Sequence, residues 1–456
     1  MVVPVSSGID PSLVAALFAR ETATFERLHP RSRELGAQSR ASLVGGVPMN
    51  WMGRWPGSFP LFAAEAHGAT VVDVDGIEYV DLCLGDTGAM CGHSPEPTVR
   101  AVTDRLGRGI TMMLPTEDSI AVGAELVRRF GLPYWQIAMT ATDANRFVLR
   151  IARELTGRPK VLVFNWCYHG TVDETLVSIG GDGRAIARPG NVGPPGDPGL
   201  TTGVVEFNDL VTLERELATG EYAAVLAEPA LTNIGIVLPD PGFHDALRAL
   251  TRSHGTLLVI DETHTWCAGP GGATRAWGLE PDLFTIGKPI GGGIPAAAYG
   301  MTAAVAASAG AEIAETPEAD VSGIGGTLSG NALALCAIRA TLSEVLTDDA
   351  FAHMTALAER WTEGVRSVID AHDLAWHVQR LGCRAEYWFC PPPRNGGEAA
   401  AAVDHALDGL LHLYCLNRGI LMTPFHNMAL MSPATTAEQV DRHSEVFAAA
   451  VAEIAG

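Results

Sequence analysis

The chain has 456 residues, 47% of them hydrophobic, and a formal net charge of −21. That length suits two or three domains with a large core, and the acidic balance argues against nucleic acid and anionic membrane as partners, since both select basic patches. No apolar run reaches the ~18 residues of a membrane span, the opening segment lacks the pattern of a secretory signal, and the eight cysteines form no CxxC pair, so a cytoplasmic protein with buried, reduced cysteines is expected.

Residues 11–35 place Leu13, Ala16, Leu17, Phe25 and Leu28 at helical spacing, which predicts an N-terminal helix packed on a neighbour or a partner subunit. The stretch GGVPMNWMGRWPGSFP follows. In it, Trp51, Arg54 and Trp55 either border a substrate entrance or pin the loop to a core. Alternation around Asp75-Gly76 predicts a hairpin of residues 69–73 with 78–82, and the loop after it holds Asp86. Helices are expected over 96–106 and 118–130, the second with Thr116 and Glu117 at the cap. Strands and helices then alternate: strand 136–139, helix 144–156, strands 160–164 and 223–227, helix 243–253, and strands running into Asp261 and Gly287. Such alternation implies a mainly parallel sheet covered on both faces. Residues 180–203, dense in Gly and Pro, are expected to make a long excursion without regular structure. After Asn331 come amphipathic segments 332–346 and 350–370, a weaker strand near 385–389 and a last helix from 436. The expected division is residues 1–74 as N-terminal helix and part of a small domain, 75–331 as the large domain, and 332–456 as the small domain.

Asp261 and Lys288 each stand at the end of a short apolar run, LLVI and DLFTI, of the kind that forms buried parallel strands. Open α/β sheets bind their ligands at such carboxyl ends. Singly, each reads sooner as a surface lysine or a strand-corner acid than as a catalytic group. Gly291, Gly292 and Gly293 shift the balance, because they let backbone pass close to a ligand. A lysine beside an aspartate suits pyridoxal phosphate, which needs an amine for a Schiff base and an acid to keep its pyridine nitrogen protonated. The run IAMTATDAN, ending at Asn145, leads a strand into a helix. It offers free N–H groups, a helix dipole and the hydroxyls of Thr140 and Thr142 to a phosphate.

In order and spacing these motifs resemble the class III aminotransferases of pyridoxal phosphate fold type I, nearest the glutamate-1-semialdehyde aminomutase-like branch, from Phe59 to the last helix. Thr140 to Ala144 stands where that family has Ser-Gly-Thr-Glu-Ala. Cys167-Tyr168-His169-Gly170 matches its Tyr-His-Gly, whose tyrosine lies over the pyridine face. Glu228-Pro229, Asp261-Glu262 and the Schiff-base lysine Lys288 follow, then Gly326-Thr327-Leu328-Ser329-Gly330-Asn331, whose threonine reaches the phosphate of the other subunit's cofactor. The resemblance implies an α/β fold with a large, mainly parallel-sheet domain and a smaller α+β domain built from both chain ends. It also implies pyridoxal 5'-phosphate as cofactor, small-molecule amine and keto substrates, and a homodimer with shared sites. Catalysis would fall to Lys288, Asp261 and Tyr168, and cofactor binding also to Ala141, Thr142, Glu228, Thr263, His264 and Thr327.

Departures from the family pattern bear on the substrate. Ala141 replaces a glycine and Asp143 a glutamate. Thr263 stands where a valine or isoleucine packs under the ring, and His264 where several members have a glutamine near the cofactor's phenol oxygen. Trp51 and Phe425 fall where members place arginines for a substrate carboxylate; Arg54 or His426 could substitute, and Asp86 is grouped with them. An apolar pocket bounded by Trp51, Trp55 and Phe425 favours a hydrophobic amine. The expected activity is therefore amino transfer from such an amine, or an amino acid, to a keto acid or ketone. The alternatives are a glutamate-1-semialdehyde-type aminomutase or an amino-acid racemase on the same fold, and, from a different class, a non-catalytic binding protein.

Overall fold

Seven short apolar segments pair into the sheet that carries the candidate site: β1 (Tyr134–Ala138), β2 (Lys160–Phe164), β3 (Thr202–Val205), β4 (Tyr222–Ala227), β5 (Leu257–Asp261), β6 (Leu283–Ile286) and β7 (Ala297–Met301). Their order in this computed structural model, which describes residues 7–315 and 323–455, is β1-β7-β6-β5-β4-β2-β3. β7 runs antiparallel to both neighbours and all other pairings are parallel. β4 and β6 are buried at every residue. A strand covered on both faces has no solvent side to alternate with, so its sequence is continuously apolar.

Helix α1 (Ala141–Thr156) follows β1 directly. Thr140 caps it by accepting the Asp143 N–H, and Gly157 ends it in the left-handed region at φ 64; such an N-cap contributes about 1 kcal/mol. Its buried face runs through Ala144, Phe147, Val148, Ile151 and Ala152, and includes the polar Asn145. Helix α2 (Phe243–Ser253) buries Phe243, Leu247 and Thr251 at a spacing of four. An aromatic cluster of Phe130, Trp135, Trp266 and Phe284 packs with centroids 5.0–5.7 Å apart, adding about 0.5–1.5 kcal/mol per pair beyond burial.

The sheet belongs to one of two units, Glu96–Asp348 with Pro393–Ala400. The other, Met1–Pro95, Asp349–Pro392 and Ala401–Gly456, is assembled from both chain ends. It holds a four-stranded sheet in which Ile420–Leu421 joins the N-terminal strands in parallel, and a separate three-stranded antiparallel sheet. Helix Pro11–Leu28 packs on His405–Leu416, around buried Phe25, Tyr79 and Leu413.

Several expectations are corrected. The helix over 11–35 is two, Pro11–Leu28 and Pro30–Ser39, because Pro30 has no N–H to continue the ladder and takes the first position of a new helix instead. A division at 74/75 cuts the hairpin Thr70–Asp73 with Glu78–Asp81, and the unit boundary lies after Pro95. The one at 331/332 moves to Asp348, since Ala332–Ala340 packs on helices Glu96–Leu106 and Asp118–Phe130 of the sheet-bearing unit. Residues 180–203 are not wholly irregular: Ala185–Ala187 pairs with Val177–Ile179, and β3 begins at Thr202. Among the described residues, no helix is long and apolar enough to cross a membrane.

Candidate active site

The carboxyl ends of β5 and β6 lie side by side, with Asp261 opposite Thr285 in the ladder. Asp261 is buried and its carboxylate is enclosed by donors. Oδ2 accepts from His169 Nδ1 at 2.9 Å and from Asn145 Nδ2 at 2.8 Å; Oδ1 accepts from the Thr263 backbone N–H at 3.0 Å. Asn145 is oriented in turn, because its Oδ1 accepts from Thr285 Oγ1 at 2.7 Å. Burial works against charge on His169, but the neighbouring Cys167 sulfur and the Asp261 carboxylate outweigh it and raise the imidazole to about 10. Burial likewise pushes Asp261 up, and His169, Thr263 and Asn145 reverse this and hold it down at about 2. Asp261 is therefore ionised throughout the neutral range, with a buried imidazolium behind it.

Lys288 follows β6 and adopts φ 47. Such a backbone is uncommon for a residue with a Cβ and tends to be retained where function requires it. Its Nζ lies 2.8 Å from His264 Nε2. The residue before it, Gly287, faces the start of α1, where a Cβ would come within 2.9 Å of the Ala141 Cβ. On the other side of Ala141, Gly170 sits at φ 80, where a Cβ would fall 2.1 Å from Thr142 Oγ1. Only glycine permits the loop after β2 to approach the helix N-terminus this closely. Thr142 Oγ1 accepts from the Thr171 N–H at 3.1 Å, leaving its own proton for a ligand.

These residues fit a phosphate-bearing pyridine. Thr263 Oγ1 and His169 Nε2 are buried and make no hydrogen bond of ordinary geometry among the described residues, their polar neighbours being the Asp261 carboxylate and the Cys167 sulfur. Half-buried Tyr168 stands on the loop between β2 and Gly170. Buried Glu228, at the end of β4, accepts a hydrogen bond from Thr232. Thr327 is exposed on the turn before Asn331.

Asn145 and His169 were not singled out from sequence as site residues. The signal for Asn145 was a polar residue inside the apolar stripe of α1; for His169 it was its place in the Tyr-His-Gly motif.

The expected substrate residues belong to the unit of chain ends and separate into groups. Trp51 and Phe425 meet edge to face at 5.7 Å, and the Arg54 guanidinium lies 5.9 Å from the Phe425 ring centre. Trp55 packs instead on the Phe25–Tyr79 core, so it pins its loop. His426 is buried, its Nδ1 3.1 Å from Glu386 Oε1, and Arg384 holds the other Glu386 oxygen at 3.0 Å. Asp86 is partly exposed and takes φ 50.

The Asp261–His169 pair predicts a pH signature in the cofactor-free protein. The depressed Asp261 contributes stability above its usual 3.8, lost as pH falls through about 2. The raised His169 contributes below its usual 6.5, lost as pH rises through about 10. Wild type should therefore exceed His169→Gln by about 3–5 kcal/mol between about pH 4 and 6.5, with the gap closing toward pH 10. Unfolding curves measured across that range check this; a gap unchanged from pH 6 to 10 would mean that the imidazole is neutral.

Residues 51–451 match the model of the family described as Aminotransferase class-III. A glutamate-1-semialdehyde 2,1-aminomutase from Sorangium cellulosum is 35% identical over 427 residues, covering 91% of this chain and 94% of its own. Among solved structures, a glutamate-1-semialdehyde-aminomutase from Pseudomonas aeruginosa, a lysine-to-alanine variant in complex with PMP, is 51% identical with TM-score 0.95, covering 98% of this chain and 100% of its own. An omega-transaminase from Sphaerobacter thermophilus is 28% identical with TM-score 0.84, covering 93% and 98%.

Proposed function

The chain belongs to the class III aminotransferase family, and from that premise we propose that it is an aminomutase, moving an amino group between neighbouring carbons of one substrate of the glutamate-1-semialdehyde type. Its cofactor is pyridoxal phosphate, which when bound supplies the electron sink for the carbanion left by C–H cleavage. The observation that carries the reading is the full-length likeness, at 51% and 35% identity, to proteins named for that reaction. It takes the place of the hydrophobic-amine transaminase expected from the pocket residues.

In this reading Lys288 would supply the amine that holds the cofactor, and its freed Nζ would then carry the proton between the substrate carbon and the cofactor. Asp261 faces the pyridine nitrogen as a fixed negative charge, with His169 and Asn145 preventing its rotation. Thr263 and Tyr168 hold the ring, and Thr142 with the α1 N-terminus receives the phosphate. A second copy of this chain would complete the site through Thr327. The segment beside that turn supports this assembly: Met113 and Leu114 are 76% and 71% exposed, and the Ile110 carbonyl next to them accepts from the Ala332 N–H at 3.0 Å.

The reading is tested with purified holoenzyme and glutamate 1-semialdehyde alone, product being followed by chromatography. Sustained turnover without any keto acid is expected. One specific observation favours a rival, the Trp51–Phe425 ring pair, which suits an aromatic amine. Turnover only when 1-phenylethylamine and pyruvate are supplied together would install that transaminase instead.

A further inference from the structure

The 2.8 Å contact between Lys288 Nζ and His264 Nε2 is built in by the strand register. Asp261 stands opposite Thr285 in the parallel ladder, and three residues further along each strand lie His264 and Lys288. His264 opens the 3-10 turn Thr265–Ala268, and Lys288 the turn Lys288–Gly291. Neither position hangs on a free loop, so the pairing of the two side chains follows from the sheet itself.

An alkylammonium can only donate a hydrogen bond, so against it Nε2 is an acceptor and the ring proton sits on Nδ1. An amide in this place could accept the same hydrogen bond but could not take the proton; an imidazole does so near neutral pH. The distinction matters because an ammonium is no nucleophile and no base, and Lys288 has to be both.

We propose that His264 is a catalytic proton partner of Lys288. The Nζ–H bond breaks, an Nε2–H bond forms, and the positive charge passes from the lysine to an imidazolium whose half-buried ring returns the proton to solvent. The transfer reverses when the amine must be recharged. Ionisable groups on the bordering elements are engaged elsewhere. Asp261 is paired with His169, Glu262 accepts from Thr265 Oγ1 at 2.5 Å, and Asp143 at the start of α1 accepts from Thr140 Oγ1 at 2.9 Å. Glu228 is bonded to Thr232.

The inference rests on the assignment of Lys288 as the cofactor-binding amine and not on the choice of substrate. It is tested with the full chain in two states. In the holoenzyme, the visible cofactor band is titrated from pH 5 to 10 in wild type and His264→Gln. In the cofactor-free protein, acetylation of Lys288 by limiting acetic anhydride is quantified by peptide mass spectrometry at pH 7. Expected are a shift of the spectral midpoint by about one pH unit or more and about tenfold slower labelling in His264→Gln, with unchanged far-UV circular dichroism. Added imidazole should restore labelling in His264→Ala. Equal midpoints and equal labelling in wild type and His264→Gln, or a His264→Ala protein indifferent to imidazole, would overturn the proposal. Absence of a visible band in wild type would strike the functional reading, while the labelling arm still decides the role of His264.

Discussion

In Lys288→Ala, turnover is expected to fall by about 10⁴-fold or more, because nucleophile and proton carrier are lost together and such roles are not additive. The cofactor should nevertheless stay bound. The anchors proposed for it, the charged Asp261 and the donors at the start of α1, do not involve the lysine side chain. Stability should change little. Lys288 is half-buried at φ 47, and alanine bears the same left-handed cost of about 1–2 kcal/mol that lysine does. Single-turnover assays, with native mass spectrometry to count bound cofactor, separate the two effects. A variant that keeps more than a hundredth of wild-type turnover would show that Lys288 is not the reacting amine.

Lys288 and Asp261 were legible in the sequence for a physical reason. A strand buried on both faces is an unbroken apolar run, so the first polar residue after it marks the strand's carboxyl end, and in a parallel sheet those ends converge. Helical periodicity and end signals made helices Glu96–Leu106, Asp118–Phe130 and Phe243–Ser253 readable to the residue. β7 was missed, because AAYGM pairs antiparallel between β6 and β1 and its small residues lack the β-branched signature. What holds Asp261 was equally hidden. Asn145 and His169 reach it from 116 and 92 residues away in the chain, and no local pattern encodes a partner at that separation. The aromatic loop shows a third kind of limit. Trp51 and Trp55 look alike in sequence, yet one meets Phe425 and the other enters a core, a choice made by tertiary packing.

The second large effect is expected at Asp261, where Asp261→Asn should lower the rate by about 10³-fold through loss of a preorganised charge. The amide is nearly the same size, so the change is electrostatic. Its NH₂ group would face either His169 Nδ1–H and Asn145 Nδ2, both donors, or, with the amide turned over, the Thr263 N–H, so in either orientation a hydrogen bond becomes a donor-to-donor contact. His169 would lose the carboxylate that keeps it charged, and its pKa would fall from about 10 toward the value burial dictates. Breaking a buried pair on one side costs about 3–5 kcal/mol, so some loss of activity could arise from unfolding alone. His169→Gln separates the two causes, since it breaks the same pair but leaves the Asp261 charge in place. If the charge on Asp261 is what the pyridine nitrogen requires, the two variants should lose similar stability while Asp261→Asn loses far more rate per folded molecule. The visible cofactor band should also move in Asp261→Asn and stay near its wild-type position in His169→Gln. Matched rate losses in the two variants would mean instead that His169 and Asp261 act as one unit, with the imidazolium needed to keep the carboxylate charged and correctly aimed.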